Sequence, residues 1–255
     1  MHDFYDNAEG LRSSELGYLL KSPAHYKAHK AKPQEPTPAM VLGTYIHSAV
    51  LEPGKVEFKV APKCDRRTTE GKAIYAKFLD NCKETDLVVS ESDFDIINGI
   101  KHSVRQHSMA SHLLSGGDAE LPIFWEDSAG VKCKARLDYY NPIENCVVDI
   151  KTTESATFED FSRSIYKYAY HRQAAWYLDA ISQKLGKEVR DFVIVAVEKI
   201  APFAIQCYKL DGDAIFYGRE KANRAKEIFA ECEATGNWPC FEENIKPIGL
   251  PVWGV

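Results

Sequence analysis

The chain has 255 residues, 45% hydrophobic and 27% charged, enough to bury a sizeable core in one large domain. Its net charge of −5 carries no global basic signature, so any polyanion must be met by a local basic channel. Seven cysteines, an odd number with no Cys-x-x-Cys, disfavour a disulfide framework, structural zinc and iron–sulfur clusters, and no apolar run approaches the roughly 18 residues that span a bilayer.

The amino terminus lacks the basic and apolar regions of a signal peptide, so a cytoplasmic protein with reduced thiols is expected. Residues 13–30 predict two short helices. Leu16, Leu19 and Leu20 form the apolar face of the first, and Ser22-Pro23 opens the second with a capping hydroxyl and a proline at the first helical position. His25, Tyr26, Lys27, His29 and Lys30 then offer cations that can meet phosphates, although a solvated helix face is the plainer reading. A proline-rich linker at 31–39 leads to a buried helix carrying His47, with Gly43 one turn earlier on the same side. A lone histidine there is ordinarily a satisfied core residue, but the glycine leaves room for a ligand or strand to approach it.

Residues 54–115 predict a largely helical insertion that opens with a short strand at 56–61. It includes a polar loop with Arg66 and Arg67, which are candidates for phosphate contact or ordinary surface, and a histidine-rich helix. His102, His107 and His112 lack the i, i+4 spacing of a helical metal pair. Gly116-Gly117 breaks the chain before a strand at 121–125. Glu120 at its edge can join an acidic patch, with a solvent-facing glutamate preferred.

Residues 131–153 predict a β-hairpin turning at Asn141, Pro142 and Asn145. Strand alternation places Asp149 and Lys151 on one face, and a turn centred near Ile143 brings Asp138 almost opposite Asp149. Leu137, Tyr139, Val148 and Ile150 are assigned to the opposite, core-facing side. Two adjacent carboxylates repel unless a cation compensates, and hard divalent ions prefer such oxygen ligands. A lone Asp-x-Lys, by contrast, is ordinarily a surface salt bridge of little consequence.

A helical region follows from about Phe158 to Leu185, with Gln173 and Tyr177 four apart on one face. Asp191–Glu198 reads as a central strand, Pro202–Leu210 as another, and Asp211–Ala234 as a long helix. A proline-rich tail at 237–255 completes a chain read as one domain over 1–255.

The ordered set of His47 on a helix, Asp138 on a strand, Asp149-Ile150-Lys151 on the next, and Gln173-x-x-x-Tyr177 on a helix resembles the PD-(D/E)xK nuclease superfamily. It resembles the branch that carries a helical histidine and Gln-x-x-x-Tyr. Three further segments resemble the RecE-type, exonuclease VIII-like enzymes of prophages: Ser22-Pro-Ala-His-Tyr-Lys27, Gly43-Thr-x-x-His47-x-x-x-Leu51-Glu52-Pro53 and Ala61-Pro-x-x-Asp65-Arg66-Arg67. Leu137 stands where the proline of the superfamily name is expected.

The resemblance implies an α/β fold, a mixed sheet flanked by helices. It implies that His47, Asp138, Asp149 and the Ile150 carbonyl hold one or two Mg²⁺ ions, with Mn²⁺ as a substitute. Lys151 would orient or activate the attacking water, and Gln173 and Tyr177 would support the site and the DNA phosphate. It further implies degradation of double-stranded DNA from its ends, 5′ to 3′, by a ring of three or four copies, with a single-strand annealing recombinase as partner. A related nuclease acting on single-stranded or branched DNA, or an inactive DNA-binding module on the same fold, are the alternatives.

Overall fold

The computed structural model describes residues 2–32 and 35–250; Pro33 of the expected linker and 251–255 of the expected tail lie outside these residues. The chain begins with α1 (His2–Asn7), α2 (Leu16–Lys21), α3 (Pro23–Ala31) and α4 (Pro38–Leu51). Next come β1 (Phe58–Val60), α5 (Thr69–Leu79), β2 (Leu87–Val89), α6 (Glu91–Gln106) and α7 (Ser108–Leu113). The main sheet and its helices follow as β3 (Asp118–Glu126), β4 (Lys132–Asn141), β5 (Cys146–Thr153), α8 (Phe158–Lys167), α9 (Tyr170–Leu185), β6 (Asp191–Glu198), β7 (Ile205–Lys209) and α10 (Gly212–Thr235).

The main sheet has the order β3-β4-β5-β6-β7. β5 and β6 run parallel because α8 and α9 cross over between them, and the other pairings are antiparallel. This is the expected mixed sheet. The apolar run of β6 is buried on both faces, as its central position requires. One face packs on α2, α9 and α10 through Leu16, Leu19, Trp176 and Ala225. The other packs on α4, α6 and α7 through Ile46, Ile97, Ile100 and Leu113. Helix α10 approaches α9 so closely that a Cβ on Gly218 would lie 2.1 Å from the His171 carbonyl oxygen, which only glycine avoids.

Local signals cap several helix ends, at Ser22 as expected. The Ser22 hydroxyl accepts from the His25 amide at 3.3 Å with Pro23 at the start of α3, a cap that contributes about 1 kcal/mol. Thr37 does the same for α4, which carries His47. His107 caps α7, and His112 pairs with Glu144, which accounts for two of the three clustered histidines.

Two sequence expectations are corrected. The helical region 158–185 is two helices, broken where Ala169 adopts φ 55°. The break lets Phe161 stack on Tyr208 at 5.3 Å while α9 runs across the sheet. The short strand expected at 56–61 is β1, which pairs in parallel with β2 inside the segment 54–115. Finally, Leu137 does not share a face with Tyr139, Val148 and Ile150. Leu137 packs in the α9 core and the other three in the α4 core.

The last correction has a local cause. β3 and β4 pair at Ala119↔Tyr139 and again at Leu121↔Leu137, but not at the intervening Glu120 and Asp138. Glu120 takes a left-handed φ of 49°, and both strands exchange faces there. β4 also stops pairing with β5 beyond Tyr139↔Val148. The amide of Ile150 instead donates to the carboxylate of Asp138 at 3.0 Å. The sheet is therefore opened at the point where the acidic side chains gather.

Candidate active site

A cleft of about 710 Å³ lies over this opening. Its walls include His47 from α4, Glu120 from β3, Arg136 and Asp138 from β4, Lys151 from β5, and Gln173 and Tyr177 from α9. Tyr5, Asp6 and Arg12 close one side. Their segment is tied down by Lys134, a buried lysine whose ammonium donates to the carbonyls of Tyr5 at 2.9 Å, Asp6 at 3.3 Å and Ala8. These are the carbonyls at and just beyond the end of α1, where a cation also meets the negative end of the helix.

The ligand atoms of His47, Glu120 and Asp138 lie within 4.8 Å of one another. His47 Nδ1 is 3.5 Å from Asp138 Oδ2 and 4.0 Å from Glu120 Oε1. His47 Nε2 is 3.0 Å from the Ile150 carbonyl oxygen. That separation suits a hydrogen bond from Nε2–H, which leaves the Nδ1 lone pair facing the two carboxylates. Asp149 is not in this group. It is wholly buried, with Oδ2 2.6 Å from the Lys151 ammonium and Oδ1 without a hydrogen-bond partner among the described residues.

The electrostatics follow from burial and crowding. Glu120 is pushed up to about 7, first by burial and then by Asp138, against the pull of Arg136 and His47. Arg136 Nε lies 3.0 Å from Glu120 Oε2. Burial and Asp138 likewise raise Asp149, and the Lys151 ammonium opposes them. Burial alone would lower Lys151, but Asp149 and Asp138 outweigh it and hold the ammonium above its ordinary range. Tyr177 is raised well above the usual phenol range by burial and the two aspartates. Gln173 Nε2 donates to its hydroxyl oxygen at 3.0 Å, so Tyr177 keeps its own proton to donate.

A hard divalent cation fits this donor set. Carboxylates raised by burial and then by mutual repulsion gain most from a positive charge between them, and Asp149 Oδ1 is a buried acceptor with no donor among the described residues. An imidazole with carboxylate and carbonyl oxygens suits Mg²⁺ or Mn²⁺.

Of the residues singled out from sequence, His47, Asp138, Lys151, Gln173 and Tyr177 line the cleft, and Asp149 and Ile150 lie directly beneath. Arg66 and Arg67 do not line it: Arg66 lies over the Tyr75 ring at 4.5 Å, and Arg67 pairs with Asp65 at 3.0 Å. Glu120 is the main omission, since its side chain is only 13% exposed and does not face solvent. Counting back from the turn between Glu126 and Lys132 sets it opposite Asp138, which is the signal that could have found it. Arg136, two positions before Asp138, was equally legible by strand alternation.

Residues 13–248 match the family described as "PDDEXK-like domain of unknown function (DUF3799)". No curated protein matches the sequence. Among solved structures, the chain is similar to the "Putative exonuclease" from Eubacterium rectale, with a TM-score of 0.64 and 17% identity over 97% of this chain and 92% of that one. A "phage related exonuclease" from Haemophilus somnus 129PT gives a TM-score of 0.41 and 13% identity over 92% of this chain and 100% of that one.

Proposed function

The chain belongs to this PDDEXK-like family, and from that premise we propose that it is a divalent-metal-dependent deoxyribonuclease acting on the ends of linear double-stranded DNA. The observation that carries the reading is the convergence of His47, Glu120 and Asp138 beside the Lys151–Asp149 pair in one cleft. The direction we assign is 5′ to 3′, leaving 3′ single strands for recombination of the phage type.

His47, Glu120 and Asp138 hold the metal in this reading, with Asp149 and the Ile150 carbonyl as further donors. The ion, Mg²⁺ or Mn²⁺, supplies a nucleophile at neutral pH and stabilises charge developing on the phosphate. Lys151, kept as an ammonium by Asp149, orients the attacking water and offsets the charge that builds on the phosphoryl oxygens. Tyr177, positioned by Gln173, donates its proton as a hydrogen bond to a phosphate oxygen. Arg12 and Arg136 give the otherwise acidic molecule local positive charge at the cleft.

The proposal extends to one nuclease domain with an insertion at 54–115 and a tail at 237–255. It includes a ring of three or four copies in the cytoplasm of a bacterial cell, with a single-strand annealing recombinase as partner. These assignments rest on the likeness of the Ser22–Lys27, Gly43–Pro53 and Ala61–Arg67 segments to RecE-type enzymes. Among the described residues no helix is long and apolar enough to cross a membrane.

Linear and circular duplex DNA incubated with Mg²⁺, with Lys151→Ala as control, tests the activity. Loss of the linear form alone, abolished by the substitution, is expected. Nicking of circles would replace the end-specific reading with an endonuclease, and absence of Mg²⁺-dependent cleavage would refute the enzyme. Duplexes labelled at one 5′ or one 3′ end report the direction.

A further inference from the structure

The link between α8 and α9, Tyr166-Lys-Tyr168-Ala-Tyr170, carries chemistry that the roles above leave unused. Ala169 at its centre holds φ 55°, a conformation that costs an L-residue with a Cβ roughly 1–2 kcal/mol. The kink brings Tyr168 and Tyr170, two apart in the chain, ring against ring. Their centroids are 5.6 Å apart and their planes differ by 29°. On the inner side, Lys151 Nζ lies 5.0 Å from the centre of the Tyr170 ring. On the outer side, Lys167 Nζ lies 5.2 Å from the centre of the Tyr168 ring. A ladder of cation, ring, ring and cation thus runs from the Lys151 site to the surface. Tyr170 is half-buried, whereas Tyr168 is 57% exposed and contributes little to any core.

We propose that the Tyr168–Tyr170 pair is a stacking platform for an unpaired nucleobase of the DNA strand whose phosphate is held at Lys151. The inference rests on the nuclease reading and deepens it. Every base has an apolar π-face, and stacking on an aromatic side chain is worth about 1–3 kcal/mol per base whatever the sequence. At about 3.4 Å per nucleotide along a strand, the platform lies within a few nucleotides of the scissile phosphate. Lys167, exposed and on a flexible stem, yields the face of Tyr168 to the base and meets the adjoining backbone phosphate with its ammonium. A base inside a duplex already has both faces covered by its neighbours. The platform therefore selects a frayed or unpaired end and draws the strand toward Lys151.

The test uses a duplex carrying 2-aminopurine as an unpaired terminal nucleotide, titrated with the full-length protein in EDTA so that nothing is cut. The wild type is expected to quench the fluorophore. Tyr168→Ala is expected to abolish quenching and weaken binding roughly 5- to 150-fold, the range that about 1–3 kcal/mol of lost stacking implies. Tyr168→Trp should restore both, and an abasic residue at the same position should make wild type and Tyr168→Ala bind alike. Quenching that survives Tyr168→Ala, or an equal loss of affinity for the abasic duplex, overturns the platform. If the wild type still degrades linear DNA with Mg²⁺ in that case, only this inference fails. If it neither cuts nor binds DNA, the nuclease reading fails with it.

Discussion

Glu120→Gln should stabilise the metal-free protein at high pH, because it removes a carboxylate that the fold holds against its preference to be charged. Glu120 rises from 4.5 to about 7, chiefly through burial and then through Asp138. A carboxyl with a higher pKa in the folded state than in the unfolded state takes up a proton on folding. Its stabilising contribution is complete below about 4.5 and is lost as the pH rises through about 7. At about 1.4 kcal/mol per pH unit, that loss amounts to roughly 3 kcal/mol by pH 8. The side chain is 13% exposed, so solvent screens little of it, and an amide oxygen can still accept from Arg136. Urea denaturation in EDTA at pH 5 and pH 8 measures the effect. The stability of Glu120→Gln relative to wild type should rise by roughly 2–3 kcal/mol between the two. Mn²⁺ should stabilise the wild type more at pH 8 than at pH 5, and the variant much less at either. A stability difference that stays constant with pH would refute the strained-carboxylate account, and an undiminished Mn²⁺ response in the variant would remove Glu120 from the metal site.

His47→Ala should weaken Mn²⁺ binding, measured by calorimetry, by about tenfold or more, because an imidazole facing two carboxylates is lost. Unchanged affinity in a folded variant would remove His47 from the ligand set. Gly43→Ala should stabilise the DNA-free protein to urea by about 1 kcal/mol, since the position lies inside α4 and an added Cβ meets nothing within 4 Å. Destabilisation would show that the glycine serves the fold itself. Stabilisation together with weaker DNA binding would indicate that the space beside Gly43 is used by the substrate.

Much of this architecture is written in local pattern. The turn at Asn141–Asn145, the apolar run of β6, the cap at Ser22 and the i, i+4 pair Gln173–Tyr177 depend on chemistry within a few residues. Each appears close to where the sequence puts it. The hairpin register from Asn141↔Cys146 to Tyr139↔Val148 also follows from its turn, and continuing it by one residue sets Asp138 across from Asp149 just where the pairing stops.

The three-dimensional structure decided what alternation cannot express. A period of two predicts faces only while the strand stays regular. The left-handed Glu120 and the missing Glu120–Asp138 pair reverse the faces of β3 and β4, sending Leu137 and Tyr139 into different cores and turning Glu120 into the cleft. Similarly, no glycine or proline announces the break at Ala169 that separates α8 from α9 and stacks Tyr168 on Tyr170. Nor does any spacing reveal that Lys134 tethers the segment of Tyr5 and Asp6 beside the site from more than a hundred positions away. The sequence by itself determined the order of the candidate side chains His47, Asp138, Asp149 and Lys151, but not the place of Glu120 among them. Their convergence on one opening in the sheet depends on long-range packing that holds a few residues in conformations their own propensities disfavour.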